Sequence, residues 1–434
     1  MPALSANELV TEIEQRIADG DLRPGDRLAS VRAVAAERGI APNTVAAAYR
    51  RLRDRGAVTG RGRQGTVVAD RPLVVPVVAA DVPDGVVDAM TGNPDPALLP
   101  DLVPALAAAA TAPVGRYGGR LVVPELDERG RALFEHDGVH ASAMTVVSGA
   151  MDAVERLLAT RLRQGDRVGV EDPGYASVHQ VVQGLGFEAV PVATDRFGIR
   201  ADALQSAVDS GLDALIVTPR ANNPCGAAFD QERVVALDAV LERHPGLFVI
   251  QDDHAGPIAG VPFVGLRRDL DRWAVVRSMA KSLGPDLRVA LVAGDADTVA
   301  RVEARVQIGP GWVSHILQHA VANLLADPVT LATVEGAAAA YGARRQRLAD
   351  RLAAAGIDAW ARSGLQVWVP VADEQAVVMA MLDRGFAIRA GDRFRLLSPS
   401  AVRITTASLT DGEIDGLADA LADVLRPAGL TRSA

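Results

Sequence analysis

The sequence predicts a two-part α/β protein, a small helical head followed by a large domain built on a mostly parallel sheet. Three observations carry that prediction. A chain of 434 residues exceeds one ordinary core, and its 49% hydrophobic content is enough to bury two or three. From about Met90 onward, apolar strand-like runs at Met144–Val147, Arg167–Val170, Ala189–Val192, Ala214–Thr218, Leu247–Ile250 and Trp273–Val276 alternate with helical stretches, as in a parallel sheet. Charge is also split. Residues 1–72 carry 12 Arg against 9 acids, net +3, whereas residues 73–434 carry 33 basic against 45 acidic side chains, net −12. A basic head on an acidic body suits a polyanionic partner for the head alone, although taken by itself the cluster is more often a solvated face of surface arginines.

The head reads as helices and a hairpin. Val10, Ile13 and Ile17 recur at helical spacing before Gly20. Ser30 can cap a second helix carrying Val31, Val34 and Ala35, which ends near Gly39. A third starts around Pro42–Thr44 and presents Val45, Ala48, Tyr49 and Leu52 on one stripe before Gly56. Two short apolar segments, Ala57–Thr59 and Thr66–Val68, then flank the basic tip Gly60-Arg61-Gly62-Arg63-Gln64-Gly65. Three helices and a basic-tipped hairpin form the pattern of a winged helix-turn-helix, whose third helix enters the major groove of double-stranded DNA. "LRPGDRLASVRAVAAERGIAPNTVAAAYRRLRDRGAVTGRGRQGTVV" resembles the GntR family of bacterial regulators over nearly its whole length. It departs from the family pattern in having Ala41-Pro42 before, and Ala46-Ala47 after, the Asn43-Thr44-Val45 core. Candidate DNA contacts are Arg32, Asn43, Thr44, Arg50, Arg61, Arg63, Gly65 and Thr66. The head is expected over residues 1–70, a Pro-containing connector over 71–89 and the large domain over 90–434, with a small C-terminal subdomain from about 325.

Of 45 basic residues 44 are arginine, and the one lysine is Lys281. A primary amine condenses with an aldehyde, whereas a guanidinium stays protonated and is no usable nucleophile. In Ser278-Met279-Ala280-Lys281-Ser282-Leu283-Gly284-Pro285-Asp286-Leu287-Arg288, a hydroxyl three residues before and an arginine seven after suit a phosphate, so pyridoxal 5′-phosphate is the expected cofactor. Ser148-Gly149-Ala150 follows an apolar strand and opens a helix, where backbone N–H groups bind anions. Glu171-Asp172-Pro173-Gly174-Tyr175, Asn222-Asn223-Pro224-Cys225-Gly226 and Gln251-Asp252-Asp253-His254 each end a strand-like run. Read singly, these are also ordinary turns and strand ends.

Together the segments resemble a fold type I aminotransferase, and the chain from about Leu9 to Leu425 resembles the MocR/GabR branch of the GntR family. That resemblance implies that Lys281 carries the cofactor's aldehyde and Asp252 pairs with its ring nitrogen. It also implies that Asn223 bonds the phenolic oxygen, that Tyr175 stacks on the ring, and that Ser278, Arg288 and Ser148, Gly149 and Ala150 hold the phosphate. Arg403, in "VRITTASLTDGEI", is the candidate clamp for a substrate or effector carboxylate, and Tyr117 would reach the phosphate of a partner subunit in a homodimer. His254 stands beside the cofactor where the family usually has tyrosine, and Cys225 replaces the commoner threonine.

The expected function is a transcription regulator that senses an amino compound or the cofactor itself. A working aminotransferase with a fused head is the alternative. No charged-then-apolar leader opens the sequence and no apolar run reaches membrane length, so the expected location is the cytoplasm with no membrane partner. The single cysteine excludes an internal disulfide framework and cysteine-based zinc, and no metal is expected.

Overall fold

The computed structural model describes residues 6–18, 21–54, 57–60, 65–68, 82–113, 115–266 and 269–426. The chain divides into two compact units, Met1–Ala79 with Gln180–Glu188, and Ala80–His179 with Ala189–Ala434.

In the head, α1 (Ala6–Ala18), α2 (Val31–Arg38) and α3 (Pro42–Asp54) precede an antiparallel hairpin of β1 (Val58–Gly60) and β2 (Thr66–Val68). The Ser30 side chain accepts from Ala33 N at 3.2 Å and caps α2, and Gly39 ends it at φ 64°, where a Cβ would be strained. The Tyr49 hydroxyl donates to Ala29 O at 2.7 Å, tying α3 to the approach of α2. Leu9, Val10, Ile13, Val34, Val45, Ala48 and Leu52 form the core with Val58 and Val68 of the hairpin. Arg27 adds a single bridge to Val67.

The body opens with β3 (Val87–Asp88), α4 (Val103–Ala109) and α5 (Pro124–His136). Its main sheet comprises β4 (Ala143–Val147), β5 (Arg167–Asp172), β6 (Glu188–Asp195), β7 (Gly198–Ile199), β8 (Ala214–Val217), β9 (Phe248–Asp253), β10 (Trp273–Ser278) and β11 (Ala290–Gly294), in the order β4-β11-β10-β9-β8-β5-β6-β7. The pairs β5/β8, β8/β9 and β9/β10 are parallel; β10/β11, β11/β4 and β6/β7 are antiparallel. All six anticipated strands form. β11 was not anticipated, because its apolar run directly follows the Lys281 segment and has no helix before it to mark the alternation. Helices α6 (Ala150–Arg161), α7 (Ala176–Gly184), α8 (Ala201–Asp209), α9 (Gln231–Leu241), α10 (Ala296–Ile308) and α11 (His315–Ala326) complete this layer.

The long helix α12 (Pro328–Ala354) leads into a smaller subdomain. There β12 (Gln366–Pro370), β15 (Ala401–Thr405) and β14 (Arg389–Ala390) form a sheet in that order, with α13 (Glu374–Leu382), β13 (Phe386–Ala387) and α14 (Asp411–Leu425) around it. Val367, Val369, Ile388, Val402 and Ile404 pack one face of this sheet against Leu348, Leu352, Leu417 and Leu421. The connector expected over 71–89 is corrected at its end. β3 pairs in parallel with β13, through Val87 N to Gly385 O and Ala89 N to Ala387 O, both 2.9 Å, so these residues belong to the smaller subdomain. A two-residue strand among prolines carries no periodicity that a sequence reading could detect.

Candidate functional site

Strands β4, β5, β8, β9 and β10 run in one direction, so their C-terminal ends share one edge of the sheet. That edge is where an open α/β sheet binds ligands. It receives residues 148–150, 172–175, 218–226, 252–254 and 278–281, the same segments that the sequence singled out.

Lys281 lies just beyond β10, and its Nζ donates to the backbone oxygen of Gly92. Burial, and then the positive charge of Arg403, lower the Lys281 pKa to about 8. Asp252 sits on β9 opposite Val276 of β10, 4% exposed, with no hydrogen-bond partner for Oδ1 among the described residues. Burial, and then Asp253, push its pKa up to about 7. His254 follows; burial and the Lys281 charge hold its pKa down at about 4, so the ring is neutral at physiological pH.

At the end of β4, Gly149 adopts φ 104° as the N-cap of α6, and an added Cβ there would stand 2.5 Å from Arg288 Nη2. Arg288 donates to Ser148 O at 3.2 Å, bringing a guanidinium to the start of α6. Ser278 is buried and its hydroxyl accepts from Ala280 N at 3.2 Å.

Two adjacent asparagines have different surroundings. Asn222 is fully buried, and its Oδ1 accepts from Cys225 N at 3.3 Å and Cys225 Sγ at 2.9 Å, which holds the turn together. Asn223 instead accepts at Oδ1 from Arg403 Nη1 at 3.1 Å, which leaves its amide N–H groups directed elsewhere. Ala221, before them, takes φ 56°, and Ser363 Oγ accepts from its N–H at 2.8 Å while donating to Gly226 O at 3.0 Å. Arg403 is 5% exposed; its Nη2 donates to Met90 O and its Nε has no partner among the described residues. Burial, then Arg389 and Arg393, lower its pKa to about 9. Its two Nη groups are therefore committed to Asn223 and Met90 in this state, and a ligand carboxylate would have to displace or share them. Tyr175 is 36% exposed at the lip of this edge, and Tyr117 is 93% exposed with its ring 5.3 Å from that of Trp312.

In the head, Arg32, Asn43 and Arg50 are exposed, Thr44 is half-buried, Gly65 (φ 82°) directly precedes β2 and Thr66 begins it. Arg61 and Arg63 lie outside the described residues. Arg27 was not singled out from the sequence, yet its exposed guanidinium approaches Gly65, where a Cβ would meet Nε at 3.1 Å.

Asp172 was also missed in the body. Its carboxylate accepts from Leu396 N, Leu397 N, Ser398 N and Ser398 Oγ at 2.7–3.0 Å, fastening the end of β5 to a loop of the smaller subdomain. Its neighbour Glu171 is fully buried, accepts from Thr218 N at 3.1 Å and Thr218 Oγ1 at 2.7 Å, and is pushed by burial to a pKa of about 8. Two acids in a row ahead of Pro173 are the available signal, since a buried strand end tolerates such a pair only when both are engaged.

Comparison with known proteins matches two separate stretches of the chain. Residues 85–421 match the family "Aminotransferase class I and II", and residues 5–68 match "Bacterial regulatory proteins, gntR family". The vitamin B6 salvage pathway transcriptional repressor PtsJ of Salmonella typhimurium is 38% identical over 417 residues, covering 95% of this chain and 97% of its own length. The HTH-type pyridoxine biosynthesis transcriptional regulator PdxR of Corynebacterium glutamicum is 29% identical over 81% of this chain and 79% of its own. Among solved structures, the kynurenine aminotransferase of Pyrococcus horikoshii superposes with a TM-score of 0.71 at 18% identity, over 79% of this chain and 92% of that one.

Proposed function

This chain belongs to the MocR branch of the GntR family of transcription regulators, with an aminotransferase class I and II domain as its body, and from that premise we propose that it regulates transcription in response to an amino compound or to pyridoxal phosphate, held at Lys281. The single observation that carries this reading is the pairing, on one sheet edge, of the only lysine with a buried aspartate whose Oδ1 has no partner. An orphaned buried carboxylate oxygen costs free energy unless a donor arrives. The names of PtsJ and PdxR, both tied to vitamin B6, support cofactor sensing as part of the same role.

The residues fit the cofactor. Lys281, its pKa lowered to about 8 by burial and then Arg403, reaches its neutral, nucleophilic form far more readily than an ordinary lysine. Asp252 would accept the ring N–H at Oδ1, and neutral His254 adds no competing charge. Arg288 and the N–H groups of Ser148–Ala150 would hold the phosphate, and Asn223, with Oδ1 fixed by Arg403, would donate from Nδ2 to the phenolic oxygen. When bound, pyridoxal phosphate supplies an electrophilic carbonyl for amines and an electron-withdrawing ring. Homodimerisation, the DNA contacts of Arg32, Asn43, Thr44, Arg50, Arg61, Arg63, Gly65 and Thr66, and a cytoplasmic location belong to the same proposal.

The test is spectroscopic, with DNA binding followed in parallel. Protein loaded with pyridoxal phosphate should show a visible band that candidate amines shift, together with a change in salt-dependent, site-specific binding to DNA upstream of its own and neighbouring genes. Lys281→Ala should abolish the band completely, and a retained band would show that the anchor is elsewhere. Sustained amino-group transfer to a keto acid over many turnovers, with DNA binding unmoved, would favour the enzyme instead.

A further inference from the structure

Building on that reading, in which Arg403 faces the effector, we infer that the effector carries two acidic groups, the second received by Arg389 and Arg393. Strands β14 and β15 are antiparallel, with Arg389 directly opposite Arg403, and Trp368 of β12 lies opposite Arg403 on its other side. The three side chains therefore share one face of the small sheet. That face belongs to the cleft, since Trp368 and Phe394 pack with Ala176, Cys225 and Ala227 from the strand-end loops of the large sheet. Arg393, on the turn Asp392–Phe394, brings its guanidinium carbon to 5.8 Å from the Phe394 ring centroid, and Arg403 brings its own to 4.9 Å from the same ring.

Like charges directly opposite one another on paired strands are destabilising unless a counter-charge lies near. Asp88 and Asp392 lie near enough to act on Arg389 as counter-charges, but their oxygens bond to other groups. Asp88 accepts from Met90 N, Thr91 N and Thr91 Oγ1, and Asp392 from Arg393 N and Gln375 Nε2. The half-buried Arg389 guanidinium makes no hydrogen bond or ion pair among the described residues. Arg395, just beyond, is by contrast paired to Glu374 at 2.8 Å. A carboxylate on Arg403 still leaves the Arg389 fork without a hydrogen-bond acceptor, which a second acidic group would supply, and planar guanidinium forks suit carboxylate or phosphate alike. The ligand class is thus an amino acid with an acidic side chain.

The experiment titrates protein loaded with pyridoxal phosphate, read by its visible spectrum, with glutamate, O-phosphoserine and glutamine. An acidic side chain should bind at least about tenfold more tightly than glutamine, and whichever of the two acids binds better identifies the second group. Arg389→Gln with Arg393→Gln should bring that ratio close to one, while Arg389→Lys should keep most of it; the single Arg389→Gln carries the test if the double variant does not fold. Equal affinity for glutamate, O-phosphoserine and glutamine, or a preference that survives in the double variant, overturns the inference. Calorimetry with glutarate against butyrate separates it from the underlying reading, because neither probe has an amine. An Arg389-dependent glutarate preference with no spectral response to amino acids would sink amine sensing and leave the two-acid site standing. Spectral responses that ignore the acidic group would do the reverse.

Discussion

Asp252 and Asp253 are consecutive on β9, so their side chains leave opposite faces of the same sheet, into opposite electrostatic settings. Asp253 is fully buried and closed. Arg220 reaches it at 2.8 and 2.9 Å, Arg277 at 2.8 Å, and Asp137 completes the cluster at 3.1 Å from Arg220 and 2.7 Å from Arg277. Phe134 and Phe263 lie against the two guanidinium groups. Burial would raise the Asp253 pKa, but Arg277 and Arg220 outweigh it and hold the carboxyl below its usual range. Asp252 is equally enclosed yet open, with one oxygen unpartnered and a pKa of about 7. A buried charge that is fully answered serves the fold; one left unanswered on the neighbouring residue is available to a ligand.

The comparison breaks most visibly at Asp253. Asp253→Asn removes the shared acid of two buried arginines and should cost about 3–5 kcal/mol, read as a large drop in thermal midpoint. The sign with pH follows from the lowered pKa: the stabilisation is complete above the ordinary Asp range and is lost as pH falls through the depressed folded value. A drop no larger than that of a surface substitution would mean that the cluster is not what holds this part of the sheet.

Asp252→Asn should go the other way in cofactor-free protein. Its folded pKa, about 7, lies above the unfolded value, so the folded state keeps a proton that the unfolded state loses. Stability is unaffected by this group below about pH 4 and is eroded as pH rises from there to about 7. The asparagine variant should therefore match the natural protein at pH 5 more closely than at pH 8, where it should be more stable by on the order of 2–4 kcal/mol. Denaturant curves at the two pH values check this. A destabilised variant at pH 8 would show that the Asp252 carboxylate already has a partner in the fold.

Which of these features the sequence reveals depends on the range of the interaction. Lys281, Asp252 and the Ser148–Ala150 turn are legible because each chemical group sits at a strand end a few residues long, and the βα alternation that places strand ends together is itself periodic. The head is legible for the same reason, its caps at Ser30 and Gly39 being local. Asp253 is not, since nothing in Asp-Asp states which side chain meets Arg220, 33 residues earlier, and Arg277, 24 residues later. Arg389 opposite Arg403 depends on the register of two strands separated by a loop, and a one-residue slip would turn either side chain to the other face. The carbonyls of Met90 and Gly92 that receive Arg403 and Lys281 carry no side-chain signature at all.

The smallest effect extends the contrast to a polar group in open solvent. Ser30 is exposed, and its hydroxyl answers one backbone N–H at the start of α2, a helix of 8 residues too short to persist without its cap and its packing. Ser30→Ala should cost about 1 kcal/mol, and Ser30→Gly only a few tenths, because glycine lets water reach the freed N–H groups. Since the chain divides into two compact units, the fitting measure is local: amide hydrogen exchange over residues 31–38 should quicken by about fivefold in the alanine variant and far less in the glycine variant. The visible band of the loaded body should stay in place in both. Equal effects of the two substitutions would show that Ser30 acts through side-chain packing and not as a cap, and that even a solvent-facing polar group in this chain is closed by its neighbours in the manner of Asp253.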